Sequence, residues 1–185
     1  MMRLVRDRRL AFVWLAVRLW LGWQFINAGW EKLTGSGWVG SGAPAGIHGF
    51  LAHAGSSAMT SGAHAPVATW YAALIHHIFL PTAIGWSYLI AIGEFAVGIG
   101  LVLGAFTLAA AFFGAFMNFN YLLAGSTSAA INPIMLVLGL LLLVAGSAAY
   151  AYGLDRVLMP RVHALLGRIR LPSLHQPRPL AHEGR

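Results

Sequence analysis

The sequence contains no cysteine among its 185 residues. Without cysteine, the chain cannot form disulfides, ligate an iron–sulfur cluster through thiolates, attach haem covalently or carry a persulfide. Any sulfur or redox chemistry in which the protein takes part therefore requires groups that another molecule supplies.

Charged residues are also scarce. They make up 9% of the chain, whereas apolar residues make up 58%, and the mean hydropathy is +0.71. This composition is too apolar for a soluble domain of this length and predicts a membrane protein. Four apolar blocks are long enough to cross a bilayer as helices: about residues 10–33, 83–106, 108–124 and 133–150. The predicted fold class is all-α, an integral membrane four-helix bundle.

Basic residues are missing from the long connection between the first two blocks, residues 34–81, which has neither Lys nor Arg. Arginines instead lie at the two ends of the chain: Arg3, Arg6, Arg8, Arg9, Arg156, Arg161, Arg168, Arg170, Arg178 and Arg185. By the positive-inside rule, both termini lie on the cytoplasmic side of a bacterial plasma membrane and the connection lies outside. We interpret the net charge of +7 as an orientation and headgroup signal. No basic run is interleaved with aromatic residues, so no nucleic-acid partner is predicted.

The chain divides into three regions. Residues 1–9 are a basic cytoplasmic N-terminus, and residues 10–150 are the transmembrane domain. Its first block extends past the usual apolar core of about 7 to 15 residues in a signal peptide, so we interpret it as a retained helix. Residues 151–185 are a cytoplasmic amphipathic segment and tail.

Local patterns predict smaller elements. The connection opens with GSGWVGSGAPAG, which is typical of a loop, and ends with VATWYAALIHHIFLP, which predicts a short helix on the outer membrane surface. The last span begins with Asn132 as N-cap and Pro133 in the first turn. The segment LDRVLMPRVHALLGRIR predicts a cationic surface helix, and PSLHQPRPLAHEGR predicts a disordered tail.

Glu94 stands in the middle of the apolar run LIAIGEFAVGIG. An ionisable group at the bilayer centre costs about 3 kcal/mol or more and generally faces the bundle interior, where it finds a partner. At about 1.5 Å per residue, Glu94 lies about 15 Å from the cytoplasmic end of its helix, Asn118 at a similar depth, and Arg18 about 10 Å in. We therefore predict a polar pocket formed by Arg18, Glu94 and Asn118.

Stripes of small and polar residues support this arrangement. In the first span, Arg18, Gly22, Phe25, Gly29 and Lys32 share one helix face, and the two glycines permit close approach of another helix. The third span has a similar stripe: Ala110, Gly114, Asn118, Tyr121 and Gly125.

Each polar residue also has a purely structural interpretation. Arg18 could extend to the headgroups, Glu94 could be a neutral acid bonded to a carbonyl, and Asn118 could bond another helix. The outer end of the first span is crowded by Gln24, Asn27, Glu31 and Lys32. Since Glu31 and Lys32 point in different directions, we favour an interfacial anchor over a catalytic pair.

The eight histidines do not predict a cofactor site. Five lie in the outer connection and three near the C-terminal tail, so none occupies the middle of a span. A transmembrane haem held by two buried histidines is therefore not expected, and no metal site is predicted. A less favoured alternative is that His76 and His77 contact a metal, a headgroup or a quinone ring.

Five motifs together resemble the DoxX/DoxD family of small bacterial membrane proteins: RLWLGWQFINAGWEK, IGEFAVGIGLVLG, MNFNYLLAGS, INPIM and YGLDR. The resemblance extends from about residue 18 to residue 156. It implies a subunit of thiosulfate:quinone oxidoreductase, which passes electrons from thiosulfate to membrane quinone with tetrathionate as product. Family members also occur with sulfurtransferase and superoxide dismutase in thiol-stress complexes. The lack of basic residues in the connection argues against a strong anion site on that face.

These observations lead to three hypotheses. In the first, the protein is the membrane subunit of a quinone-linked oxidoreductase, with quinone as the candidate co-substrate. Glu94 and Arg18 are then the predicted catalytic residues, and Asn118, Tyr121 and Asn27 contact the substrate. The second hypothesis is a non-catalytic scaffold for cytoplasmic redox enzymes through residues 155–170, and the third is a small-molecule carrier. Candidate partners are the lipid bilayer, a second oxidoreductase subunit and further copies of the chain.

Overall fold

The computed structural model describes residues 7–126 and 131–169 of the chain. These residues form helices and no strand, which confirms the all-helical prediction. The helices are α1 (Ala11–Thr34), α2 (Ala45–Ala54), α3 (Ser57–Thr60), α4 (Thr69–Leu74), α5 (Ala83–Leu103), α6 (Thr107–Leu123), α7 (Ile131–Ala145) and α8 (Asp155–Ile169). Short 3₁₀ turns at Arg8–Leu10, Gly40–Gly42 and Gly146–Ala148 and a π-helical turn at Ile75–Phe79 complete the secondary structure.

The four long helices pack in neighbouring pairs. Helix α1 contacts α5 and α7, and α6 contacts α5 and α7. A core cluster fills the space between them and includes Trp14, Leu21, Phe25, Leu101 and Leu142. Burying these side chains supplies the main packing energy of this part of the molecule.

A seam of glycines sets the spacing between α1 and α5. A Cβ atom on Gly29 would lie 2.5 Å from the backbone nitrogen of Phe95, and one on Gly98 would lie 2.6 Å from that of Ile26. Only a hydrogen side chain fits at these positions, so the two backbones touch. The face predicted on α1 is buried here, since Arg18, Gly22, Phe25 and Gly29 all lie inside.

The outward faces of the long helices are strongly apolar. Phe12, Trp23, Leu89, Phe113 and Phe116 are each more than half exposed. Within the described residues, Ala83–Leu103 and Ile131–Ala148 are long and apolar enough to cross a membrane, and Thr107–Leu123 is apolar but shorter. Large exposed apolar surfaces of this kind mark contact with lipid or another protein.

The connection between α1 and α5 is more ordered than its glycine content suggests. It contains α2, α3 and α4 around a second core cluster that includes Ile47, Leu51, Tyr71 and Ile75. Helix α2 was not predicted from the sequence. The sequence does predict a helix near the end of this connection, and α4 with its π-helical continuation confirms it.

The ends of the described segments test other predictions. Helix α7 begins at Ile131, so Asn132 and Pro133 both lie in its first turn, while residues 127–130 before it lie outside the described residues. The predicted C-terminal helix is present as α8. The predicted tail and most of the basic N-terminus lie outside the described residues.

Candidate functional site

Glu94 is buried in the middle of α5, with 2% of its surface exposed, and both of its carboxylate oxygens are bonded. Lys32 donates from Nζ to Oε2 at 2.6 Å, and the Tyr121 hydroxyl donates to Oε1 at 2.6 Å. These three side chains, the buried triad of this structure, come from α1, α5 and α6. A paired and hydrogen-bonded carboxylate satisfies the requirement for burying a charge.

Helix packing explains how Lys32 reaches Glu94. The seam brings Gly29 of α1 against Phe95 of α5, and Lys32 follows Gly29 by three residues on the same face of α1. Lys32 also donates to the carbonyl of Ala28 at 3.4 Å and lies 5.1 Å from the centroid of the Trp38 ring. The ammonium group is therefore held by a carboxylate, a carbonyl and an aromatic face.

A polar chamber of about 400 Å³ lies over the triad. Among the described residues, its polar lining consists of Gln24, Asn27, Glu31, Lys32, Glu94, Asn118, Tyr121, Ser126 and Asn132. The rings of Trp38 and Phe50 complete the wall. The Lys32 side chain is 18% exposed, so the triad is accessible from this chamber.

An apolar chamber of about 550 Å³ also borders Tyr121. It is lined by apolar and aromatic side chains of α2, α5, α6 and the π-helical turn: Leu51, Phe79, Trp86, Leu89, Val97, Phe113, Phe116 and Met117. Gly93 of α5 also borders it. The size and lining are typical of a site for a small apolar ligand.

Phe50 and Tyr121 border both chambers. Their rings meet edge to face, with centroids 6.3 Å apart. Tyr121 thus borders the apolar chamber, while its hydroxyl is bonded to Glu94, which borders the polar chamber. One residue of the triad is therefore shared by the two chambers.

The connection between α1 and α5 holds Trp38 and Phe50 in place. The Ser87 hydroxyl donates to the Trp38 carbonyl, and the Gly40 N–H donates to the Tyr88 hydroxyl at 2.9 Å. These bonds tie the glycine-rich segment to α5, so both chambers depend on the connection as well as on the long helices.

A second tyrosine fixes α4 against α6. The Tyr71 hydroxyl donates to the Asn120 carbonyl and side-chain oxygen, each at 3.2 Å. Burial raises the pKa of Tyr71 to about 12, so the phenol stays protonated and donates at any physiological pH. This bond supports the wall of the apolar chamber, which both residues border.

Arg18 does not hold the Glu94 carboxylate, contrary to the sequence-based expectation. Its guanidinium donates to the carbonyls of Ala149 at 3.3 Å and Tyr152 at 2.7 Å, beside Gly104. Gly104 follows Glu94 by ten residues on α5, which corresponds to about 15 Å along a helix. The Arg18 side chain points toward the N-terminal end of α1, whereas Lys32, near the C-terminal end, lies at the level of Glu94.

Arg18 belongs instead to a second buried cluster with Asp155, with which it interacts electrostatically. The Asp155 carboxylate accepts hydrogen bonds from the backbone N–H groups of Phe106 and Thr107, both at 2.6 Å, at the start of α6. Unpaired N–H groups and the helix dipole make this position favourable for an anion. The cluster thus fixes the beginning of α8 to the α5–α6 turn.

The other predicted substrate residues border the polar chamber. Asn118 is buried there and donates to the Gly114 carbonyl of its own helix at 3.0 Å. Asn27 borders the same chamber with an exposed side chain. Of the five predicted site residues, Glu94, Asn118, Tyr121 and Asn27 therefore surround one chamber, and Arg18 is apart from it.

Comparison with protein families accounts for this arrangement of motifs. The sequence model of the DoxX family matches residues 13–127, which is more than half of the chain. The chain belongs to the DoxX family. The matched region contains all three members of the buried triad and most of both chambers. It confirms the family resemblance and covers three of the five motifs, whereas INPIM and YGLDR lie beyond residue 127. This DoxX protein is accordingly a membrane protein.

Searches of curated proteins and of solved structures found no significant match to this DoxX protein. Its structure therefore carries the functional argument beyond the family itself.

The pairing of Lys32 with Glu94 is the contact that was not predicted from the sequence of this DoxX protein. The sequence favours an interfacial anchor at Lys32, because its neighbour Glu31 points elsewhere. Two signals favoured the pairing: Lys32 shares the stripe of Gly22 and Gly29, and it is the only lysine in the chain. Trp38 and Phe50 gave no comparable signal, since their positions depend on how the connection folds.

Proposed function

We propose that this DoxX protein is the membrane subunit of a quinone-linked oxidoreductase system, with a quinone in the apolar chamber. The position of Tyr121 carries this proposal, because its ring borders that chamber while its hydroxyl is bonded to Glu94. A quinone needs apolar surroundings for its ring and tail and a hydrogen-bond donor for its carbonyl oxygen. Tyr121 supplies the donor once Glu94 is protonated, because the phenol O–H that bonds the carboxylate can then turn to the quinone.

The triad provides a route for protons. Reduction of a quinone to a quinol takes two electrons and two protons. Glu94 takes a proton from the polar chamber and passes it to the Tyr121 oxygen as the phenol gives its own proton to a quinone oxygen. Both protons follow this route in turn, and Lys32 stabilises the carboxylate between transfers. The chain has no cysteine, and we assign the supply of electrons to a partner subunit. Arg18, which bonds backbone carbonyls elsewhere, has no part in this scheme.

The proposal includes the arrangement in the membrane. Helices α1, α5, α6 and α7 cross the bilayer as a four-helix bundle, and both termini lie in the cytoplasm of a bacterium. The apolar outward faces and the arginines near the chain ends support this orientation. The connection with α2, α3 and α4 then covers both chambers from the outer side.

A carrier function has one observation in its favour, since two chambers of different polarity adjoin at Tyr121. The scaffold function has less support than the sequence suggested. Asp155, the first residue of the segment expected to dock soluble enzymes, is buried and caps α6. Exposed residues of α8 such as Arg156 and Arg161 remain available for such contacts.

Quinone binding tests the proposal directly. We expect decylubiquinone to bind the purified protein in nanodiscs, measured by quenching of tryptophan fluorescence, because Trp86 borders the chamber. Gly93→Leu should abolish binding, since a Cβ there meets only Met117 Cε at 3.5 Å and a longer side chain enters the chamber. Gly85→Leu on the same helix has open space around its Cβ, so this variant should bind decylubiquinone as tightly as the wild type does. Absent binding, or equal binding by both variants, would contradict the proposal.

The proton role has its own test. Glu94→Gln should retain decylubiquinone binding, because it leaves the apolar chamber unchanged. Quinone reduction by the native complex should fall by about 10²- to 10⁴-fold, which is the usual contribution of a general acid or base. Unchanged reduction with normal binding would remove Glu94 from the mechanism.

A further inference from the structure

In the proposed function the quinone occupies the apolar chamber, and the polar chamber has features of a separate site. It is about 400 Å³ in volume, and the exposed side chains of Asn27 and Glu31 stand at its margin. Its wall offers amide groups, a carboxylate and aromatic rings, whereas the apolar chamber offers almost only hydrocarbon. The two chambers therefore suit ligands of different chemistry.

The charges around the polar chamber do not favour an anion. Among the described residues that border it, three are charged: Lys32, Glu94 and Glu31. The Lys32 ammonium lies 2.6 Å from Glu94, so its charge is already neutralised, and Glu31 leaves one carboxylate in excess. A dianion such as thiosulfate would therefore meet net repulsion rather than a free cation.

The same wall is suited to an ammonium group. The Trp38 ring already holds the Lys32 ammonium, 5.1 Å from its centroid, so a second cation depends on the other polar groups of the chamber. Glu31 supplies an opposite charge, and the amide oxygens of Gln24, Asn27 and Asn132 can accept N–H donors. We propose that the polar chamber binds a small organic ammonium ion, with Glu31 as the residue that sets the charge preference.

Three probes of equal length separate charge from size: propylammonium, propionamide and propionate. Each is titrated into the full-length protein in phosphatidylcholine nanodiscs and followed by saturation-transfer NMR, with empty nanodiscs as the blank. We expect propylammonium to bind at least about tenfold more tightly than propionate, with propionamide between them. Glu31→Gln should remove most of this preference.

Asp7→Asn is the matched control, because it removes the same charge at a residue that does not border the chamber. Asp7→Asn should leave the preference for propylammonium over propionate unchanged. Gly93→Leu should also leave this preference unchanged, because the polar chamber does not depend on quinone in the apolar chamber. The proposal fails if no probe binds, if propionate binds as tightly as propylammonium, or if Asp7→Asn acts like Glu31→Gln.

Discussion

At the scale of single residues, the decisive feature is the pairing of the only lysine with a glutamate in the middle of an apolar helix. Both groups are largely removed from water, with side-chain exposures of 18% for Lys32 and 3% for Glu94. A buried pair of this kind is stable only while both partners are present, because each alone is an uncompensated charge. Tyr121 satisfies the remaining carboxylate oxygen.

We predict that Lys32→Met lowers the free energy of unfolding by roughly 3–5 kcal/mol, because Glu94 is left buried without a cation. The measurement is SDS titration of the micelle-solubilised protein, followed by circular dichroism. The double variant Lys32→Met/Glu94→Gln should recover most of the loss, since it removes both charges. Arg161→Met removes an exposed charge on α8 and should have little effect; a similar loss in that control would argue against a specific pair.

At the scale of helices, the α1–α5 seam determines where Lys32 meets Glu94. We predict that Gly29→Ala lowers the free energy of unfolding by about 1–3 kcal/mol, because its Cβ overlaps the backbone of Phe95. Gly85→Ala, on the free face of α5, should be neutral or slightly stabilising. The same SDS titration compares the two, and equal effects would show that the seam is not close-packed.

Helix α6 begins at a carboxylate supplied by a distant part of the chain. Asp155 follows Thr107 by 48 residues and accepts its N–H at 2.6 Å. We predict that Asp155→Ala lowers the free energy of unfolding by about 1–2 kcal/mol through loss of this cap, and further because buried Arg18 loses the carboxylate with which it interacts. Asp155→Asn should lose less, since one amide oxygen can still accept a bond. Hydrogen exchange of the Phe106 and Thr107 amides would locate the change, and unaltered protection there would contradict the assignment.

At the scale of the whole molecule, the proposed orientation places the connection between α1 and α5 outside and the chain ends inside. The native chain has no cysteine, so single cysteines report position without background. Ser61→Cys lies in the connection and Ser147→Cys follows α7, both with exposed side chains. In intact spheroplasts, an impermeant maleimide should label only Ser61→Cys, and lysis should make both reactive. The opposite pattern would reverse the topology.

The sequence was sufficient for features that depend on composition and periodicity. The apolar runs predicted long helices near their observed positions, the glycine stripe predicted the buried face of α1, and the isolated Glu94 predicted a buried polar site. The motifs also indicated the family. These conclusions depend on the free energy of transfer of each side chain and on the helical repeat, which are local properties of the chain.

Tertiary structure alone decided which charged groups meet. Arg18 and Lys32 lie on the same stripe of α1, and only the register against α5 places Lys32 beside Glu94 and directs Arg18 to the carbonyls of Ala149 and Tyr152. Both chambers likewise depend on how α2 and the glycine-rich connection pack over α5. Contacts between distant segments depend on shape and register, and no local pattern encodes them.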